Sequence, residues 1–395
     1  MRPEDFSASA SGRLTRTPEG YWAFVPHPLP PEISWSPALA AALSAADRAV
    51  GELAGLGRVV PEPYLLIGPF VRREAVLSSR IEGTRASLTD VYAWEAMQLK
   101  LWNDRDAEDV REVFNYVRAL EHGLRRLADL LVSLRLLREL HAILLEGVRG
   151  GSRAAGEFRK GQNWIGPPGC TPQEATYVPP PANELPAALD AFEKYLHEES
   201  ALPPLVRLAL IHYQFEAIHP FFDGNGRLGR MLVVLLLCAW GLLPQPLLYL
   251  SAFFEAHRRE YYDRLLEVST RGAWEEWLLF FLRGVESQAR DAAERAARLL
   301  ELRRRYRERF QKPRASAVLR GLVDLLFKCP VITVPLAAKE LGVTYAAAAR
   351  HVERLVRAGV LREAKWGRGE GRRRNRMFIA EEVLAAVEGP LDSGT

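Results

Sequence analysis

One segment constrains this chain more than any other: Ile218-His219-Pro220-Phe221-Phe222-Asp223-Gly224-Asn225-Gly226-Arg227-Leu228-Gly229-Arg230. It places a histidine, a carboxylate, glycines, an asparagine and two arginines between two apolar runs. The run before it, Leu205 to Phe215, carries apolar residues at helical spacing, and Met231 to Trp240 is almost wholly apolar. Both read as helices buried in a core. The polar segment is therefore a loop that ends at a helix N-terminus, with Gly224, Asn225 and Gly226 at the entry.

The first N–H groups of a helix lack internal partners, and the helix dipole puts partial positive charge there. Glycines let the backbone come close to a ligand. Such an entry favours a phosphate. Arg227 and Arg230 are three residues apart on one face and can hold further phosphate oxygens. Asp223 beside phosphates suits Mg²⁺, which takes one or two carboxylates together with phosphate oxygens and waters. His219 has the ordinary pKa for taking a proton from a hydroxyl near neutral pH. These residues predict a nucleotide phosphate site with a general base at its edge.

His219 to Arg230 matches in full the pattern H-P-F-x-[DE]-G-N-G-R-x-x-R, and on these residues the chain resembles the Fic-domain family. The resemblance extends over roughly Pro61 to Arg290. It implies transfer of AMP from ATP to a Ser, Thr or Tyr hydroxyl of a protein, with pyrophosphate leaving. Carried onto this chain, it makes His219 the base, Asp223 the Mg²⁺ ligand, and Gly224, Asn225, Gly226, Leu228 and Gly229 part of the nucleotide-binding turn. Arg227 and Arg230 engage the β- and γ-phosphates, and Phe221 packs inward to fix the loop. His257 and Tyr262 border the adenine pocket by the same resemblance, although aromatic residues at helical spacing are more often core.

A second stretch, Val71 to Thr84, reads as a helix closed by Gly83, with Ser78 and Glu82 four apart on one face. Alone it would be a surface helix whose glutamate pairs with some arginine. In the Fic family [ST]-x-x-x-E-[GN] marks an inhibitory helix, and Ser78, Glu82 and Gly83 fill that pattern. The resemblance implies that Glu82 pairs with Arg230 and displaces the γ-phosphate. The same glutamate would serve to position a water for deAMPylation, and the sequence leaves the direction open.

At 395 residues, with 48% hydrophobic and 26% charged content, the chain has room for two or three globular domains. The net charge of +4, in which Arg greatly outnumbers Lys, says little about partners until its distribution is considered. Cys170, Cys238 and Cys329 show no CxxC or Cys/His spacing, so neither a disulfide framework nor a zinc site is expected. Met1 to Leu14 has no apolar signal-peptide core. The apolar run Met231 to Leu250 is interrupted at Gly241, Pro244 and Pro246, so it reads as a core helix with a following turn. A cytoplasmic protein without membrane attachment is expected.

The fold class predicted is mainly α: a Fic-type helical core with a small β-hairpin flap, followed by a winged helix-turn-helix domain. Linear boundaries fall at 1–60 for an N-terminal extension and 61–300 for the core, with the inhibitory helix at about 71–83. A linker helix at 301–314 and a winged-helix domain at 315–395 complete the chain. Ser36 to Gly55 reads as a capped amphipathic helix, Tyr21 to Pro26 as an extended segment, and Leu88 to Glu146 as helical throughout. Phe253 to Leu266 and Trp274 to Leu302 are further helices.

Polar turn residues between Asn163-Trp164-Ile165-Gly166 and Tyr177-Val178-Pro179-Pro180 predict a hairpin. It resembles the Fic flap, which docks a target protein by strand addition, here over 164–178. At the C-terminal end, Leu336 to Leu341 and Tyr345 to Ala358, the latter capped by Thr344, form a helix-turn-helix pattern. Val360 to Ala364 and Arg376 to Ile379 would be wing strands around a basic tip, Gly367 to Asn375. Arg350, Arg354 and the wing suit DNA phosphates, whereas a protein–protein or dimerisation module is the plainer alternative.

The function expected is a Mg²⁺- and ATP-dependent protein adenylyltransferase, with self-modification, DNA and a second copy of the chain as further partners. The competing readings are a DNA-binding regulator that senses ATP, and a family member that removes AMP or transfers another phosphate-containing group.

Overall fold

The computed structural model describes residues 1–59, 64–97, 105–148, 154–310, 317–364 and 376–389. The expected wing tip, Gly367 to Asn375, lies outside the described residues, as do 311–314 of the expected linker helix. Contacts group the chain into two compact units, Met1–Ala54 with Asn115–Ala289, and Gly55–Phe114 with Arg290–Thr395. This grouping differs from the linear boundaries drawn on the sequence, because residues near 55–114 pack with the C-terminal residues.

The elements run β1 (Gly12–Arg16), β2 (Trp22–Pro26), α1 (Pro37–Val59), α2 (Tyr64–Ile81), α3 (Leu88–Met97), α4 (Arg105–Arg126), α5 (Leu134–Leu144), α6 (Leu185–His197) and α7 (Pro204–Ile218). They continue with α8 (Asn225–Ala239), α9 (Ser251–Ala256), α10 (Arg258–Arg271), α11 (Trp274–Arg309), α12 (Ala317–Lys328), β3 (Val331–Thr333), α13 (Val334–Leu341), α14 (Tyr345–Arg357), β4 (Arg362–Ala364), β5 (Met377–Ile379) and α15 (Glu381–Glu388). The mainly α fold class is borne out.

In the first unit, α7 is apolar on nearly every side and is buried along its length, with α6, α8, α10 and β2 as neighbours. Burying one such Leu, Ile or Phe side chain stabilises by roughly 1.5–3 kcal/mol, so this helix anchors the unit. An aromatic cluster closes one side: Phe254 lies 4.4 Å from the Tyr261 ring, and Trp277 donates its indole N–H to the Ala209 carbonyl at 3.0 Å. The Ser36 hydroxyl caps α1 by accepting the Leu39 N–H at 3.0 Å, as the sequence implied, and the helix runs on to Val59.

Several expectations needed correction. The stretch 88–146 is not continuous, since a turn at 127–133 separates α4 from α5, and Ser133 caps the new helix by accepting the Leu136 N–H. Residues 253–266 are split at His257, where α9 ends and α10 begins. The extended segment at 21–26 has a partner that the sequence reading missed: β1 pairs antiparallel with it, with Leu14 opposite Phe24. Among the described residues the arms of the expected flap pair through one bridge, between Ile165 and Tyr177.

The second unit contains a three-stranded antiparallel sheet in the order β3-β5-β4, with α12, α13 and α14 preceding the second strand of the sequence. Thr333 and Thr344 cap α13 and α14 through their hydroxyls. Helix α2 is built into this unit. It packs on α3, α12 and α15. Arg72 pairs with Glu95 at 2.8 Å and lies over the buried Tyr92 ring. Arg73 pairs with Asp291 at 3.1 Å, and Asp291 also holds Arg295, whose guanidinium donates to the Val387 and Gly389 carbonyls. The helix expected to be inhibitory is thus part of the core that supports the C-terminal sheet.

Candidate active site

Helix α7 ends at His219, which has φ 49° and ψ 61° and is the one non-glycine residue with positive φ among the described residues. A side chain in this region stores strain that surrounding contacts must offset. Arg159 supplies them. Its Nε donates to the His219 carbonyl at 2.9 Å, its guanidinium also reaches the Ile218 and Pro180 carbonyls, and its backbone N–H donates to the Pro220 carbonyl at 3.0 Å. Burial pushes the Arg159 guanidinium down to about 10, which still leaves it charged at neutral pH. Asn163 adds a side-chain N–H to the Phe221 carbonyl at 2.7 Å. The His219 Nδ1 lies 3.3 Å from the Glu216 carbonyl, so Nδ1 carries the proton and Nε2 is the basic nitrogen.

Two further residues shape the turn. Asn225 is buried; its Oδ1 accepts the Phe221 N–H at 2.9 Å and its Nδ2 donates to the Phe221 carbonyl at 2.8 Å. His141 from α5 stacks on Phe221 with ring centres 3.8 Å apart. Its Nδ1 accepts the Gly156 N–H at 2.9 Å, so Nε2 bears the proton and donates to the Asp223 carbonyl at 3.0 Å. Burial pulls the His141 pKa down to about 4, which keeps the ring neutral and this tautomer intact. Phe221 is fully buried, as expected.

Gly224 precedes α8 with φ 77°, and a Cβ there would lie 3.3 Å from Leu144 and 3.7 Å from His141. The first intrahelical bond of α8 runs from the Leu228 N–H to the Gly224 carbonyl, so the N–H groups of Asn225, Gly226 and Arg227 begin the helix without an intrahelical acceptor. Arg227 and Arg230 are 4% and 2% exposed, which concentrates two positive charges at this N-terminus. A buried cation needs a counter-charge, and the Asp223 carboxylate lies 3.6 Å from Arg227.

Leu228 and Gly229 contribute through packing. Leu228 is buried in the core, and a Cβ on Gly229 would come within 3.1 Å of the Phe215 ring. Gly229 also receives a hydrogen bond from His212 Nδ1 at 3.2 Å, while the His212 Nε2 accepts from the Tyr261 hydroxyl at 2.9 Å. Burial, and then the Arg230 charge, push the His212 pKa down to about 3. His257 is exposed at the α9–α10 junction with its Nδ1 on the Phe253 carbonyl, and Tyr262 is 41% exposed beside Tyr261.

Asp223 is exposed. Its Oδ1 accepts the Gly224 N–H at 2.6 Å and lies 3.6 Å from Arg227. No cluster of three or more His, Cys, Asp or Glu residues suited to a metal occurs among the described residues. One carboxylate beside an anion site fits Mg²⁺ held chiefly by phosphate oxygens and water, and does not fit a metal caged by protein ligands.

Family models agree with this geometry. Residues 40–125 match the Fic/DOC family N-terminal model and residues 131–237 match the Fic/DOC family model. The chain carries a Fic/DOC family domain over residues 131–237. It is 28% identical over 227 residues to a protein adenylyltransferase Fic from Culex quinquefasciatus, covering 55% of this chain and 39% of that one. It is 32% identical over 143 residues to a protein of the same name from Aedes aegypti, covering 36% and 25%. The chain therefore spans well under half the length of these curated relatives. A Fic family protein from Desulfovibrio desulfuricans G20 shares the fold, with a TM-score of 0.56 and 18% identity over 89% of this chain and 98% of that one.

In the hairpin expected to be the flap, Ile165 pairs with Tyr177 and the 177–178 arm also meets β2. The Ile165 N–H and carbonyl both bond to Tyr177, at 2.8 and 3.0 Å, and the Val178 carbonyl accepts the Phe24 N–H of β2 at 2.8 Å. The 177–178 arm therefore has neighbours on both sides. Ser78, Glu82 and Gly83 belong to the second unit. Ser78 is buried, α2 ends at Ile81, and Gly83 adopts φ 102° two residues later. No helix among the described residues is long and apolar enough to cross a membrane.

The sequence reading missed Arg159, His141 and His212. Each lies outside the motif and acts on it through a backbone carbonyl, so no local spacing marks it.

Proposed function

We propose that this Fic protein transfers AMP from ATP to a hydroxyl side chain of a protein. The observation that carries the reading is the left-handed His219, held by Arg159 and Asn163 beside a helix N-terminus that contains two buried arginines. In the reaction, His219 Nε2 takes the proton of the target hydroxyl as its oxygen bonds to the α-phosphorus. The bond from that phosphorus to the oxygen bridging to the β-phosphate breaks, and pyrophosphate leaves with both electrons. Arg227, Arg230 and the first N–H groups of α8 stabilise the departing charge. Mg²⁺ held by Asp223, when bound, supplies neutralisation of the phosphate oxygens.

Glu82 completes the proposal as an inhibitor that competes with the γ-phosphate for Arg230. A displaced triphosphate leaves the α-phosphorus misaligned, and small misplacements cost large rate factors. The Ser78, Glu82 and Gly83 pattern supports this. The test is incubation with labelled ATP: Glu82→Gly labels itself more strongly than wild type, and His219→Ala is silent in both backgrounds. Equal labelling of wild type and Glu82→Gly removes the inhibition, and labelling by His219→Ala removes the mechanism. Mass spectrometry of Glu82→Gly after exposure to each nucleoside triphosphate separates AMP from other transferred groups.

A second role, DNA binding by the C-terminal unit, is supported by α14. Tyr345, Ala346, Arg350, Arg354 and Arg357 are exposed on it, and none of these arginines forms an ion pair with a described residue. Small residues among unpaired cations suit close approach to a groove. A gel shift with salt titration tests it. Arg350→Ala lowers the salt slope by about one phosphate contact if the surface binds DNA, and no salt-dependent shift removes the role.

A further inference from the structure

His141 on α5 lies far from the motif in sequence, is buried, and meets the motif loop at three residues. Its ring stacks on Phe221 with 16° between the planes, its Nε2 donates to the Asp223 carbonyl at 3.0 Å, and a Cβ on Gly224 would lie 3.7 Å from it. Gly156 fixes the other side of the ring, since its N–H donates to Nδ1 at 2.9 Å. The Gly156 carbonyl is held in turn by Nε of Arg138, one turn earlier on α5, at 2.8 Å. A backbone N–H can only donate, so this contact leaves the ring proton on Nε2, facing Asp223.

The Asp223 carbonyl and the Gly224 N–H are the two ends of one trans peptide group, so they point in opposite directions. Holding the carbonyl therefore holds the N–H. That N–H donates to Asp223 Oδ1 at 2.6 Å, and the same oxygen lies 3.6 Å from Arg227. The Asp223 side chain is 69% exposed, so packing restrains it little, and its direction depends on these polar contacts. A line of bonds thus runs from Gly156 through His141 and one peptide plane to the carboxylate.

We propose that His141 is a positioning residue for Asp223: by orienting the Asp223–Gly224 peptide it aims the carboxylate assigned to Mg²⁺. Groups that orient a metal ligand from outside the coordination shell change metal affinity by about ten- to a hundredfold when removed. This inference rests on the assignment of Mg²⁺ to Asp223 in the reading above.

The test is calorimetry on the full chain with the α,β-methylene analogue of ATP, which adenylyl transfer cannot cleave, at a series of Mg²⁺ concentrations. Two variants exchange the contacts of the ring. His141→Phe keeps the stack on Phe221 and loses both hydrogen bonds, whereas His141→Gln loses the stack and keeps a donor for Asp223 and an acceptor for Gly156. The Mg²⁺ concentration at half effect on analogue affinity is expected to rise about tenfold in His141→Phe and to stay within about threefold in His141→Gln. Analogue affinity in EDTA is expected to be unchanged in both. In an Asp223→Asn protein, adding His141→Phe changes the Mg²⁺ dependence no further, because two substitutions on one line of contacts do not add. Should His141→Phe not fold, His141→Asn, whose amide is too short to reach Asp223, takes its place. Wild-type Mg²⁺ dependence in His141→Phe, a glutamine variant as impaired as the phenylalanine one, or an equal loss of affinity with and without Mg²⁺ overturns the inference and leaves the Asp223 assignment standing. A wild-type chain whose analogue binding ignores Mg²⁺ defeats that assignment and this inference together, while labelling by ATP still decides adenylyl transfer.

Discussion

The side chain of Asn225 closes a ring with the backbone of Phe221, accepting from its N–H and donating to its carbonyl. An asparagine here does what a paired strand residue would do, and it fixes the loop between the proposed base and the entry of α8. Asn225→Ala leaves both Phe221 groups buried without these partners. A loss of roughly 1–3 kcal/mol in stability is expected, with a fall in kcat larger than any rise in KM for ATP. Denaturant unfolding and steady-state labelling check the two parts; an unchanged kcat contradicts the role.

Arg159 holds His219 in its left-handed conformation through several carbonyls at once. Arg159→Lys keeps the charge but offers no planar fork, so it fails to rescue. Both Arg159→Ala and Arg159→Lys are expected to lower kcat by ten- to a hundredfold, with ATP affinity nearly intact. Calorimetry beside turnover measurements decides the case. A lysine variant with full activity would refute it.

Gly224→Ala places a Cβ at φ 77°, which costs an L residue about 1 kcal/mol, and directs it toward Leu144 and His141. The helix entry then shifts away from the phosphate. Weaker Mg-ATP binding is expected, by about tenfold, together with a small drop in Tm. Calorimetric titration is the check.

His212 is buried neutral, with its pKa pushed from an ordinary 6.5 down to about 3. The unfolded chain binds a proton at this residue below pH 6.5 that the folded chain refuses. The contribution is therefore fully present above pH 6.5 and is lost progressively as pH falls from there toward 3. Urea unfolding between pH 7 and pH 4 is expected to show wild type losing more stability than His212→Gln. Parallel pH profiles contradict it.

The motif loop was legible because its residues are contiguous and each has a chemical reason for its place. The anchors were not. Arg159 and His141 meet the loop from 60 and 82 residues away, to His219 and Asp223, through bonds that only the fold creates. The α1 cap at Ser36 was visible, since the bond spans three residues. Strand β1 was not, because Gly12-Arg13-Leu14-Thr15-Arg16 has a single large apolar residue to reveal its face. The placement of α2 was also hidden. Its apolar periodicity shows that one side is covered, and nothing in that pattern says which distant segment provides the cover.

Helix α2 shares its core with α12 and α15, and this changes how shortened versions of the chain must be interpreted. Cutting the polypeptide before Ala317 strips away the packing partners of the segment that leads to Glu82. Any gain in labelling by such a fragment would report a disturbed α2 as readily as the loss of the C-terminal surface. Point substitutions on the solvent side of α14 interrogate the C-terminal surface without that confusion.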